Sequence, residues 1–352
     1  TSNVGIGYNA LYGADSTAAN NTGTNNTAIG QNALKWFSKT IGTTAVGSEA
    51  GYYTTGSYNT FMGYKAGHGG TTSAPYSTGK ENTAVGYAAF DAFTSATFNT
   101  TVGMHSLGAN TTGNYNTALG HSAMKINTSG GANVALGYAA ANNLNGGNYN
   151  VVIGNGAGYN LGGVANTVLI GNAAGYAINS TDANGTVAIG NQALQDLTSG
   201  QNSVAVGYRA LADVTTGDYN TALGYAAGDG MTTGLSNTLM GWGAGGASGF
   251  NAGGYNVMLG AEAGSSAIAP FSNVYVGYRS GGQNKQGGYN VMIGDAAGYN
   301  PVGNNFSGSH NVFMGYAAGY NTGADKNVFI GSSAGQYTTG SFNTFMGYQA
   351  GK

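Results

Sequence analysis

The sequence predicts an all-β fold, a parallel β-solenoid (β-roll) of about twenty coils of seventeen residues, forming one continuous array over residues 1–352. Three observations predict it. A five-residue phrase recurs from end to end, its spacing is close to seventeen residues, and each of its columns has one chemical character. No helical periodicity of 3.6 residues runs through the chain.

The phrase reads Asn26-Thr27-Ala28-Ile29-Gly30 near the start and Asn343-Thr344-Phe345-Met346-Gly347 at the end. Aligned on its glycine it occurs twenty times, and eleven of the nineteen intervals are seventeen residues. The residue before the glycine is always Ile, Val, Leu or Met, and the residue three before it is always Thr or Val. β-Branched residues suit a pleated strand, and positions two apart share a face. These two columns are therefore expected to point into the coil. The residue four before the glycine is Asn in sixteen copies, placed to bond turn backbone or to stack as a ladder. Three after the glycine stands Ala in eighteen copies and Ser in two, which predicts a tight contact. Turn-formers such as Thr54-Thr55-Gly56-Ser57-Tyr58 separate the phrases. Two strands of about five residues and two short turns would fill such a period.

Composition excludes several classes. Glycine is 66 of 352 with only 3 prolines and no third-residue period, so collagen is excluded. A chain that is 41 % apolar with 25 tyrosines is too hydrophobic for disorder. A net charge of −2 gives no footprint for nucleic acid, and no apolar run is long enough for a transmembrane helix. With no cysteine there are no disulfides and no thiolate metal sites.

A thin coil buries little surface, so a partner chain is expected. The column two before the glycine offers the contact. It should face away from its neighbours, yet it is apolar: Ala28 and Ala84 early, then Leu239, Met258, Met292, Phe313, Phe329 and Phe345. These residues are expected to pack a homo-oligomer.

The phrase Asn202-Ser203-Val204-Ala205-Val206-Gly207 running to Ala210, and Gly185-Thr186-Val187-Ala188-Ile189-Gly190 running to Ala193, resembles the head repeat of YadA-like trimeric autotransporter adhesins. Similar arrays occur in bacteriophage tail-fibre shafts, which the linker Thr-Thr-Gly-x-Tyr/Phe-Asn-Thr resembles more. The resemblance runs through all twenty copies, although the period here is longer. It implies three chains, each a left-handed β-roll, packed round one axis as a homotrimeric rod with no active site in the roll.

Chemistry is sparse. The four histidines and twelve acids are dispersed, so neither a catalytic pair nor a cofactor or metal site is expected. Gly154-Asn155-Gly156-Ala157-Gly158 is the ordinary coil motif, with no lysine for a phosphate loop. Aromatics are the better lead. Tyr64, Tyr87, Tyr208, Tyr225 and Trp242 share the column after the glycine, where they could stack on one another or dock sugar rings. The long coil carries Pro75, Tyr76, Lys80 and Glu81, and Trp36 and Phe37 are unusually apolar for a turn. These places are the candidate ligand contacts.

The function expected is a non-enzymatic fibre, a tail-fibre shaft or adhesin head. It would extend from a virion or cell surface into the extracellular space and engage a host glycan or protein receptor. The alternatives are a self-assembling extracellular filament and an ice-binding solenoid. The inward placement expected for the Thr/Val column argues against ice. A polysaccharide-degrading β-helix would need an acid cluster that is missing.

Overall fold

The computed structural model describes residues 2–13, 21–70, 76–246, 252–266, 268–301 and 307–352. It is a parallel β-solenoid with strands about seventeen residues apart and, among the described residues, one 3-10 turn, Thr181–Ala183. Its contacts divide into two units. The first comprises Thr1–Ala173 with Ile178–Thr181, and the second Ala174–Ala177 with Asp182–Lys352. The first unit holds ten strands from β1 (Val4–Ile6) to β10 (Val168–Ile170), each pairing in parallel with the next. The second holds ten from β11 (Val187–Ile189) to β20 (Thr344–Met346), paired in the same way. Register sets each column on itself: Thr100 faces Thr117, Thr101 faces Ala118, and Val102 faces Leu119.

Each coil has one strand of three residues rather than two of about five. The cause lies two and four residues after the repeat glycine, where the backbone is left-handed: Asn32 has φ 57° and Leu34 44°, Ala88 47° and Phe90 55°. Alternating left-handed residues cannot extend as a strand. That side of the coil is a stack of turns, joined by backbone bonds such as Leu34 N–H to Ala50 O (2.9 Å) and Leu107 N–H to Ala123 O (2.9 Å).

The repeat glycine closes the strand. All twenty have φ between 122° and 140°, and within each unit all but the last closely approach the glycine of the next coil. A Cβ on Gly103 would lie 2.4 Å from the Gly120 carbonyl oxygen, and one on Gly190 2.2 Å from that of Gly207. No L side chain fits either constraint.

The phase of the strand is the reverse of the expectation. The central residue, two before the glycine, is buried in every strand from the second to the nineteenth. Its flanking Thr/Val and Ile/Val/Leu/Met neighbours are buried in none. Leu239, Met258, Met292, Phe313 and Phe329 are fully enclosed within their own chain and cannot form an oligomer surface, while Phe345 is half-buried in the last coil. Their growth in size has an internal reason. The residue four after the glycine also enters the core, and the two volumes compensate. Ala84 is matched by Phe90, Ala118 by Met124 and Ala188 by Leu194, whereas Phe313, Phe329 and Tyr275 are matched by Gly319, Gly335 and Gly281. A Cβ on Gly319 would sit 2.5 Å from the Phe313 ring, and one on Gly335 2.3 Å from that of Phe329. The column three after the glycine is fully buried, as its small size predicts, from Ala33 and Ala50 through Ser106 and Ser280 to Ala334.

The asparagines form a ladder inside the coils. Asn133 Nδ2–H donates to Asn116 Oδ1 (3.0 Å), and the Asn133 backbone N–H donates to the same oxygen (3.1 Å). Asn116 Nδ2–H donates to Asn99 Oδ1 (3.1 Å) and to the Gly130 carbonyl (2.9 Å). Ladder and turn bonding thus occur together, so a fully buried amide spends its hydrogen-bonding capacity on two neighbouring coils. The same bonds run from Asn237 through Asn256 and Asn273 to Asn290 in the second unit.

Candidate binding surface

With the central strand residue and the asparagine turned inward, alternate positions of the phrase face solvent. Four ranks result. Counted from the repeat glycine, they are the residues five, three and one before it and the one directly after it. The two middle ranks are the Thr/Val and aliphatic columns, and Leu119, Leu223 and Met62 on the aliphatic rank are about half exposed. The outer ranks are aromatic in many coils. At about 3.3 Å per residue the two middle ranks lie roughly 7 Å apart on the strand, with the outer ranks on either side. Within each unit the face repeats at the strand spacing of about 4.8 Å.

The rank after the glycine contains the expected Tyr64, Tyr87, Tyr208, Tyr225 and Trp242, all exposed. Tyr64 stacks on Tyr87 (ring centroids 5.4 Å apart), and Tyr208 on Tyr225 (5.1 Å). Packing along the solenoid and exposure to solvent therefore coexist in these rings. The rank five before the glycine was not anticipated as a surface feature. It carries Tyr58, Phe98, Tyr115, Tyr149, Tyr219, Tyr255, Tyr289 and Phe342, all exposed and all at left-handed φ. Phe98 stacks on Tyr115 at 5.0 Å. The signal was in the sequence, as the Tyr or Phe that so often precedes the repeat asparagine.

Trp36 and Tyr76 are brought together, with ring centroids 5.7 Å apart and near-parallel planes. Tyr76 stacks in turn on Tyr53 (5.8 Å), Tyr53 meets His68 edge-on (5.2 Å), and His68 stacks on Tyr52 (5.2 Å). Lys35 Nζ lies 5.2 Å from both the Trp36 and the Tyr52 ring centroids. It also donates to the Tyr52 hydroxyl at 3.0 Å, the main cause of its raised pKa. Phe37 does not join this cluster. It stands seven after the repeat glycine, a core column shared with Phe93, Leu144 and Leu161, and is buried. Lys80 and Glu81 are exposed on the turn before their strand. Pro75 lies outside the described residues.

Charges pair between neighbouring coils. Glu49 meets Lys65 (3.7 Å) and His68 (3.6 Å), Arg209 meets Asp229 (2.9 Å), and Arg279 meets Glu262 (2.5 Å). Burial holds the His68 pKa below its ordinary value and raises that of Asp91. Among the described residues no three His, Asp or Glu side chains gather as a metal site. No helix among them is long and apolar enough to cross a membrane.

No protein-family model and no curated protein matches this chain. The reading of function therefore rests on the surface itself.

Proposed function

We propose that this chain is a non-enzymatic fibre segment, extracellular on a virion or cell surface, in which copies pack through the two middle ranks of the outward strand face. The observation that carries the reading is that face. Its Thr/Val and aliphatic ranks are unburied in all twenty strands, and 6 % of the chain's residues are charged. A regular, nearly uncharged face with a continuous unburied aliphatic rank calls for a cover. Its ranks repeat at one strand spacing, so a surface of the same pitch fits it best, and a second copy of this chain has that pitch. The resemblance to YadA-like heads supports three copies. Surfaces outside the contact then serve adhesion to a receptor.

Light scattering after size exclusion tests this. The expected mass is three times 35.1 kDa, and V102E with L119E, two exposed aliphatics on neighbouring strands, should lower it with the circular dichroism unchanged. A wild-type mass of 35.1 kDa would overturn the proposal.

One observation favours a second reading, ice binding. The Thr/Val rank faces outward rather than inward, and Thr occupies it in six consecutive coils, at Thr27, Thr44, Thr60, Thr83, Thr100 and Thr117. A threonine rank in this position is open to an ice surface. This reading predicts a monomer with thermal hysteresis, which T100V with T117V would reduce.

A further inference from the structure

The second unit carries a cavity of about 380 Å³ at the edge of the strand face, beside the rank that follows the repeat glycine. It opens where the column two after the repeat glycine becomes small. That column holds Glu262 and Arg279 in later coils but Ala226 and Gly243 here. A Cβ added at Gly243 would have nothing within 4 Å. The walls come from the neighbouring columns. Tyr225 and Trp242, on adjacent coils, contribute aromatic surface, and both are exposed. Glu262, Arg279, Gln283 and Tyr299 line the cavity from the coils that follow.

Three properties identify the ligand chemistry. The two aromatic residues come from adjacent coils, about 4.8 Å apart along the stack, and offer flat apolar surface to the C–H face of a ring. Beside them in the same cavity the carboxylate, guanidinium and amide are planar groups suited to paired hydroxyls. They are held in place: Arg279 Nε–H donates to Glu262 Oε2 at 2.5 Å, and Gln283 Nε2–H to Ser266 Oγ at 3.2 Å. The Arg279 guanidinium also lies 4.8 Å from the Tyr278 ring centroid. The carboxylate and guanidinium neutralise one another, so the wall favours an uncharged ligand. The volume falls at the small end of the range for small-molecule sites.

We infer that this cavity is a binding site for a neutral saccharide, of one or two pyranose rings, with Trp242 and Tyr225 as its stacking platform and Glu262, Arg279 and Gln283 as its hydroxyl-binding wall. The inference rests on the adhesive reading above, whose receptor class it names.

The test uses the full chain on an array of neutral and acidic glycans, followed by titration with the best neutral disaccharide. The chain has 2 tryptophans, so W36F leaves Trp242 as the reporter of binding. Saturable quenching of Trp242 is expected. G243Q should weaken binding at least tenfold, since it fills the cavity with a side chain that the same column already carries at left-handed φ, at Gln192 (58°) and Gln349 (54°). The fold should be indifferent to it, and circular dichroism checks this. W242A should lose about tenfold, as befits one stacking contact of about 1.4 kcal/mol. Absence of neutral-glycan binding, binding confined to acidic glycans, or affinity unchanged in G243Q and W242A would each overturn the inference. The mass of the same sample separates the two proposals: a trimer that binds no saccharide loses only the site, and a monomer that binds loses only the fibre.

Discussion

The coils around residues 82–126 and those around 237–335 fill the same interior from opposite sides. In the earlier region the strand contributes little, through Ala84, Thr101 and Ala118, and the turn contributes Phe90, Leu107 and Met124. In the later region the strand contributes Leu239, Met258, Tyr275, Met292, Phe313 and Phe329, and the turn contributes glycine. The two are not equivalent energetically. The turn position is left-handed, so Phe90, Leu107 and Met124 hold φ of 55°, 51° and 48°, at a cost of about 1–2 kcal/mol each. The glycines facing Phe313 and Phe329 sit at φ near 65° without that cost. Volume conservation is what the fold requires, and placing the bulk on the strand is the less strained way to meet it.

The largest effect should come from overfilling a later coil. G319L adds a side chain where a Cβ already meets the Phe313 ring at 2.5 Å and forces a non-glycine residue to φ 65°. A loss of about 3–5 kcal/mol is expected. Adding F313A recreates the Ala188–Leu194 arrangement and should recover all but about 1–2 kcal/mol. Native-state hydrogen exchange of the neighbouring amides measures both. Equal losses in the single and double variants would mean that the two columns do not share volume.

The earlier region answers to a different substitution. L107A should cost about 2–5 kcal/mol by leaving a cavity, and alanine keeps the left-handed strain. L107G removes a little more surface but relieves the strain, so it should be no worse than L107A, whereas glycine is ordinarily the poorer replacement. Urea titration of the pair decides. A markedly less stable L107G would show that strain at this column is slight.

Both regions share the asparagine ladder, whose loss should cost less. N116A removes an acceptor used by Asn133 and a donor to Asn99 and Gly130, an expected loss of about 2–3 kcal/mol. N116T should cost about half as much. Thr167 already shows the substitute geometry, with its hydroxyl donating to Asn150 Oδ1 at 2.8 Å. The natural Thr and Ser substitutions at 167, 186 and 203 fall at the end of the first unit and the start of the second. Hydrogen-exchange protection at the Asn133 amide reads the effect.

The repeat, its period, the glycine column and the small buried alanines were legible in the sequence, because each is one residue type recurring in one column. The phase of the strand was not. Alternation says which residues share a face but not which face is inside, and here both faces are apolar. Val and Ile at the outer positions looked like core, and Ala28 or Ala84 at the central one did not. The deciding signal was a pairing of columns, since large residues two before the glycine occur where the residue four after it is glycine. Of the proposed contacts, Trp36 and Tyr76 met through ring stacking across coils, which no local pattern encodes, and Phe37 went to the core because its column is a core column. The cavity beside Trp242 depends on Gly243, a residue that column reading passes over among 66 glycines.

The smallest effect concerns pH and is confined to the first unit. His68 is half-buried against Tyr52 and Tyr53, and desolvation lowers its pKa below 6.5, against the opposing pull of the Gly69 backbone and Glu49. The unfolded chain therefore takes up its proton before the folded one. Stability should fall as pH drops below about 6.5 toward the folded value, by at most about 1.4 kcal/mol per pH unit. Asp91, raised above 3.8 by burial, works the other way, because the folded state holds that proton longer and gains stability as pH falls through the window above 3.8. Between pH 7 and 5.5 the histidine dominates, being nearer its titration range. Melting of the first unit should thus decline across that interval, and H68Q should flatten the decline while leaving the second unit's coils unchanged. A slope that persists in H68Q would move its origin away from this aromatic cluster.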